Sequence, residues 1–210
     1  KEITSSIEYA HQIQSAVLPS VESMSQYFPE SFVLYLPKDI VSGDFFWIRE
    51  VGDYMVFAVA DCTGHGVPGG FMSMLGIYLL NQIVDQNKVI QPDQVLNRLR
   101  KKVISALGQS GNETKLGDGM DISLCSYNRK TGQLLFAGAN NPLYIVPKQF
   151  IEDLVLTNEK TVIFEHQDKR LLELKPDKMP VGRHIRQDQE FSAHSYNLQE
   201  GDTLIMFSDG

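Results

Sequence analysis

The stretch Tyr54-Met55-Val56-Phe57-Ala58-Val59-Ala60-Asp61-Cys62-Thr63-Gly64-His65-Gly66 decides how the rest of the chain reads. Its first half is a nearly unbroken apolar run, the pattern of a strand buried on both faces. The run ends in an aspartate and a glycine-rich turn, and a helix begins near Pro68-Gly69-Gly70. A carboxylate at the mouth of a core strand is costly unless something compensates it. A divalent cation is the usual compensation where other carboxylates converge. The glycines would let the backbone, including a carbonyl, approach an ion closely.

Working outward, Ser42-Gly43-Asp44-Phe45-Phe46 sets a second aspartate at the start of a strand expected over 44–49. Gly52-Asp53 marks the turn into the strand 54–60, so the two form a hairpin. The start of one strand then lies beside the end of the next, and Asp44 and Asp61 fall at one edge of the sheet. Downstream, the apolar run Thr203 to Phe207 reads as a strand that delivers Ser208-Asp209. Three aspartates at strand ends suggest a hard-cation site with oxygen ligands.

The remaining elements frame that hairpin. Residues 3–18 read as an amphipathic helix through Ile3, Ile7, Ala10, Ile13 and Val17, ended by Pro19. Two readings stand for it: a helix packed on its own domain, or the end of a coiled-coil linker from an upstream sensor domain, able to pair with a second copy. Ser31 to Leu36 reads as a short strand. Residues 68–86 place Phe71, Leu75, Tyr78, Leu79 and Ile83 on one helical face, and 93–107 place Leu96, Leu99, Val103 and Leu107 likewise. Gln109 to Gly119 reads as a loop. Strands are expected over 120–127, 133–139, 143–146, 190–196 and 203–207, with 147–175 irregular apart from apolar runs at 161–164 and 171–174. There is no alternating βαβα rhythm, so an α+β fold of mixed sheets flanked by helices fits best.

Composition bounds the rest. With 210 residues, 42% hydrophobic and 21% charged, the chain suits one large soluble domain. A net charge of -7 repels phosphate backbones and makes nucleic acid a poor partner. Cys62 and Cys125 form no CxxC pair and read as buried thiols in a reducing, cytoplasmic compartment. The longest apolar stretch, Phe71 to Val84, is interrupted by Ser73, Asn81 and Gln82 and falls short of the roughly 20 residues of a bilayer span. Lys1 opens directly into a helical pattern and Gly210 follows closely on a strand, so both ends read as cuts through a longer protein.

These motifs together resemble the PPM superfamily, the protein phosphatase 2C-like group, in its sporulation-protein-E and sigma-regulator branch. The resemblance runs through Ser42-Gly43-Asp44-Phe45-Phe46, Asp61-Cys62-Thr63-Gly64-His65-Gly66 and Ser208-Asp209-Gly210. Ala137-Gly138-Ala139-Asn140-Asn141-Pro142 looks like the family's mid-domain Asn-Ala-Gly-His-Asn-Pro segment, and Ile7 to Pro19 looks like its linker helix. The resemblance implies a linker helix over 1–19 and a phosphatase domain over 20–210, truncated at its C-terminus. It implies an αββα sandwich of two mainly antiparallel sheets and a pair of Mn²⁺ or Mg²⁺ ions at one end of it. Asp61 would bridge the metals, Asp44 and Asp209 would be further ligands, and the backbone carbonyl of Cys62 another. No side chain would act as nucleophile: a metal-activated water would attack the phosphorus of a phosphoserine or phosphothreonine. The substrate would be a regulatory protein of the anti-anti-sigma type. The family carries another aspartate on a final strand beyond the Ser-Asp-Gly motif, so the 210 residues alone are expected to hold at most one ion well and to show little activity.

Four residues read two ways. The eukaryotic branch places a histidine two positions after its bridging aspartate as a proposed general acid; His65 is four positions on, so it reads as a turn-packing or ligand-orienting group. Asp118 and Asp121 lie where relatives hold a third, weaker metal, and read equally as a solvated loop acid and a strand-edge residue. Lys38 could meet substrate phosphate or be surface charge. At the level of the whole chain, two alternatives remain open: a catalytically weak or inactive docking module of the same fold, and an unrelated metal-dependent hydrolase of small phosphoesters.

Overall fold

The apolar run ending at Asp61 forms one arm of a hairpin in the computed structural model, which describes residues 2–109, 117–149, 161–167 and 169–209. β1 (Phe45–Val51) pairs antiparallel with β2 (Tyr54–Cys62), Phe45 lying opposite Ala60 and Val51 opposite Tyr54. Gly52 takes the left-handed φ of +60° that the tight turn requires. β2 then pairs with β3 (Gly119–Asn128), and β3 with β4 (Gln133–Ala139), again antiparallel. β9 (His194–Asn197) extends the sheet beyond β4, and the two-residue β8 (Val181–Gly182) adds to β3. A second sheet has the order β10-β5-β7-β6, built from β5 (Leu143–Val146), β6 (Thr161–His166), β7 (Lys169–Leu174) and β10 (Thr203–Ile205).

The run in β2 is apolar at successive positions because both of its faces are covered. Val56, Ala58 and Ala60 point with Phe45 and Trp47 into a core shared with the helices. Met55 and Phe57 point the other way with Ile48, Cys125 and Phe136 to meet Leu143, Ile145, Leu172 and Leu174 of the second sheet. The helical layer is α3 (Gly66–Leu80), prolonged by a π-helical stretch at Asn81–Gln86, and α4 (Pro92–Ala106). Trp47 Nε1 donates to Asn81 Oδ1 at 2.9 Å where the π-helical stretch begins. The helix Gly66–Gln86 is long and apolar enough to cross a membrane by length and composition. It is also a cover of the sheet, with Leu80, Ile83 and Val84 fully buried in the core. α1 (Glu2–Val17) packs on α3, and after α2 (Val21–Tyr27) the chain places Tyr27 and Phe28 against the core between the sheets.

Several expected elements differ. Of the face expected for α3, Leu79 and Ile83 are buried and Leu75 packs on the core, but Phe71 and Tyr78 are 69% and 60% exposed. Small residues complete the inward face: Gly69, Gly70, Ser73 and Gly76 are buried, and a Cβ at Gly76 would stand 3.0 Å from Met120 Cε and 3.1 Å from the Phe45 ring. Residues 31–36 are not a strand. Exposure alternates along them and Tyr35 is anchored on Phe46, but no described strand pairs with them, and Phe32, Leu34 and Leu36 stay exposed. Of residues 190–196 only the last three join a strand, because the Phe191 and Ser192 amides are taken by the side chains of Asn97 and Asp177. β10 covers only Thr203–Ile205, opposite Val146, Ile145 and Tyr144, and stops one position short of the end of β5 at Leu143. The stretch read as irregular contains the β6–β7 hairpin, hidden by the charged, solvent-facing residues of both strands. Much of the expected loop 109–119 lies outside the described residues, as do 150–160.

α4 behaves as its spacing requires, with Leu96, Leu99 and Val103 fully buried. Leu99→Ala should therefore cost about 2–5 kcal/mol in urea unfolding. The adjacent exposed Arg98→Ala should stay within about 0.5 kcal/mol. Equal effects at the two positions would contradict this placement of α4.

Candidate functional site

The hairpin register brings the first two aspartates together. Asp44 immediately precedes β1 and Asp61 is the penultimate residue of β2, so the Phe45–Ala60 pair leaves both at the same sheet edge. Asp121 of β3 lies directly across from Asp61. Asp209 arrives from the other sheet, after β10, and Ser208 Oγ donates to Asp44 Oδ2 at 2.8 Å. That bond ties the ends of the two sheets to each other.

The electrostatics record the crowding. Asp61 is pushed up to about 8, first by burial, then by a hydrogen bond shared with Asp209 and by the charge of Asp44. Asp121 is also raised, chiefly by burial; a hydrogen bond from Asn140 Nδ2 to its Oδ1 at 2.8 Å and the charge of Lys178 oppose the rise, and the charge of Asp209 adds to it. Among the described residues no three His, Cys, Asp or Glu side chains already close around a common point. The donor chemistry nevertheless fits a hard divalent cation: an all-oxygen set in which burial and neighbouring carboxylates raise Asp61 is relieved by positive charge.

The turn after Asp61 is built for close backbone approach. Gly64 and Gly66 have φ of +88° and +62°. A Cβ at Gly43 would lie 2.8 Å from the Gly64 carbonyl oxygen and 3.2 Å from that of Cys62, so only glycine fits beside them. The Cys62 carbonyl therefore faces the segment that carries Asp44, while its thiol is buried and pushed up by burial. The Thr63 amide donates to the Gly119 carbonyl at 2.9 Å and Thr63 Oγ1 accepts the Gly119 amide at 3.1 Å, fastening the turn to β3.

The other candidates lie apart. His65 sits at the N-cap of α3 and its Nδ1 pairs with Asp39 Oδ2 at 2.8 Å in an exposed contact. Lys38 is exposed. Asp118 is exposed, and its carbonyl accepts from Gln109 Nε2 at 3.3 Å. Sequence reasoning gave no role to Ser208, Asn140 or Tyr35, although each is bonded to an aspartate of the cluster. Asn140 had a signal: it stands at the histidine position of the mid-domain motif and takes a left-handed φ of 58°. Tyr35, whose hydroxyl donates to the Asp44 carbonyl at 3.0 Å, had none.

Two mainly antiparallel sheets under a helical layer, with carboxylates gathered at one end, define a PP2C-type domain. The chain matches the family model of stage II sporulation protein E (SpoIIE) over residues 52–210, and it belongs to that family. It is 23% identical over its whole length to the phosphoserine phosphatase RsbU of Bacillus subtilis, spanning 54% of that protein. The chain therefore covers about half the length of this curated relative. The SiaA PP2C domain of Pseudomonas aeruginosa is 29% identical, with a TM-score of 0.78 over all of this chain and 72% of that one. The PP2C phosphatase domain of SpoIIE from Bacillus subtilis shares the fold at 21% identity, with a TM-score of 0.58 over 81% of this chain and 42% of the other.

The raised Asp61 makes metal-free stability depend on pH. Its folded value of about 8 exceeds the reference 3.8, so the folded state holds a proton that the unfolded state loses. Stability contributed by this group is full below about pH 4 and is lost as pH rises towards 8. Asp61→Asn removes the loss. Discounted for solvent screening of a half-buried group, the gain at pH 8 should be on the order of 1–2 kcal/mol, or about 2–8 °C in Tm without metal, and near zero at pH 4. A variant no more stable than wild type at pH 8 would contradict the crowding of Asp61.

Proposed function

We propose that the chain is the catalytic domain of a phosphoprotein phosphatase that removes phosphate from serine or threonine of a regulatory protein, with Mn²⁺ or Mg²⁺ as cofactor. The observation that carries this reading is the meeting of Asp44, Asp61 and Asp209 at strand ends contributed by two different sheets. Membership of the SpoIIE family and likeness to a phosphoserine phosphatase support the same substrate class. Asp44, Asp61, Asp209 and the Cys62 carbonyl would hold a pair of cations, with Asp121 at their margin and Asp118 further out. Bound there, the cations would supply the positive charge that acidifies water and offsets charge on the phosphoryl oxygens.

The protein's own part is orientation and charge. Ser208 fixes one oxygen of Asp44, and Asn140 fixes one of Asp121. Asp61 must be ionised to act as a ligand, so cation binding should strengthen as pH rises through neutrality. His65, engaged with Asp39 in an exposed contact, would act only through that pair, and the exposed Lys38 would meet phosphate only from solvent. We place this activity in the cytoplasm of a bacterial signalling pathway, with a sensor domain upstream of α1 in the same parent protein.

A phosphorylated partner protein of the anti-anti-sigma type should release phosphate in Mn²⁺ with the full-length protein. Asp61→Asn should lower that rate by at least about 10²-fold. Comparable turnover by the variant, or turnover of small phosphoesters alone, would contradict the reading.

α1 bears on regulation. Ile7 is half-buried while Tyr9, Ile13 and Val17 are exposed, so Ile7 and Ile13 of the amphipathic pattern serve different faces. We assign the outer face to pairing with a second copy. Ile13→Glu should shift the full-length protein towards monomer in sedimentation experiments, and an unchanged oligomeric state would contradict this assignment.

A further inference from the structure

The inward face of α1 carries a polar side chain at its most buried position. Gln14 is 1% exposed, and its amide makes three hydrogen bonds across the fold. Nε2 donates to the Ser42 carbonyl at 2.6 Å and to Ser73 Oγ at 2.8 Å, and Oε1 accepts the Ser42 amide at 3.0 Å. One side chain thus satisfies both backbone groups of Ser42, as a neighbouring strand would. Ser73 Oγ, on α3, lies within donating distance of the Ser42 and Gly70 carbonyls.

Ser42 stands two residues before Asp44, and its Oγ accepts the Asp44 amide at 3.0 Å. Gly43 between them has no slack, being packed on the Gly64 and Cys62 carbonyls. A displacement of Ser42 must therefore move Asp44 or the turn after Asp61. We propose that Gln14 is a positioning residue: its amide couples the seating of α1 on the domain to the placement of Asp44, and so to the affinity of the site for divalent cations. An apolar side chain at position 14 would bury equally well and could not do this. If α1 rotated or slid, the buried Ser42 amide would lose its acceptor and the Ser42 carbonyl would keep only Ser73 Oγ, which sets the seated position apart as a discrete state.

The inference rests on the cation-binding reading above, and its test separates the two. Mn²⁺ binding to the full-length protein is followed by electron paramagnetic resonance of free Mn²⁺, alongside the Mn²⁺ concentration for half-maximal dephosphorylation. Gln14→Ala should weaken both by roughly tenfold while leaving kcat at saturating Mn²⁺ within about twofold, since the ligands themselves remain. Gln14→Glu keeps the length and the acceptor but loses the donor to Ser42, and should also weaken binding; it decides the matter if the alanine variant fails to fold. Gln12→Ala, on the exposed side of the same helix, should bind like wild type. Wild-type Mn²⁺ affinity in folded Gln14 variants, with only Tm reduced, would make Gln14 merely structural and overturn the inference alone. A wild type that ignores Mn²⁺ would overturn the cation reading and this inference with it.

Discussion

The arrangement depends on like charges being brought together where unfolded chain would keep them apart. The β1–β2 register sets Asp44 beside Asp61, β3 adds Asp121 across from Asp61, and the second sheet contributes Asp209. Packing of two apolar faces drives that approach, because neither the hairpin nor the second sheet can bury its core residues without joining its ends. The raised pKa of Asp61 reflects burial first, then the hydrogen bond shared with Asp209 and the charge of Asp44. A site whose carboxylates are held near one another by the rest of the fold needs only side-chain adjustment to receive positive charge.

Around this cluster the fold uses short-range devices to fix what repulsion would scatter. Ser208 holds Asp44, Asn140 holds Asp121, and Thr63 staples the glycine turn to β3. The glycines at 43, 64 and 69 remove side chains where three backbone segments meet: a Cβ at Gly69 would stand 2.5 Å from the Gly64 carbonyl oxygen. Gln14 extends this frame to a helix that is otherwise peripheral. The geometry of the carboxylate cluster and the seating of α1 are thereby joined through Ser42.

Much of the site was legible because it follows from local rules. A two-residue turn and two short strands fix the relative places of Asp44 and Asp61, and Asp209 could be read from the apolar run before it. What could not be read depends on contacts distant in sequence. The inward face of α3 is chosen by where glycines and Ser73 let the helix approach, while periodicity gave weight to Phe71 and Tyr78, which are bulky and outside. Phe32, Leu34 and Leu36 had the composition of a strand, but strand formation needs a partner that no local pattern names. Gln14, buried by bonds to residues 28 and 59 positions away, reads in sequence as one more polar residue of an amphipathic helix.

The central claim, that the converging carboxylates form a divalent-cation site, is tested most directly without turnover. Thermal unfolding of the full-length protein and of Asp61→Asn is measured near pH 8 with and without Mn²⁺. The account predicts that Mn²⁺ raises the wild-type Tm in a concentration-dependent way and leaves the variant nearly unmoved. A wild type indifferent to Mn²⁺, or equal shifts in both proteins, would contradict it.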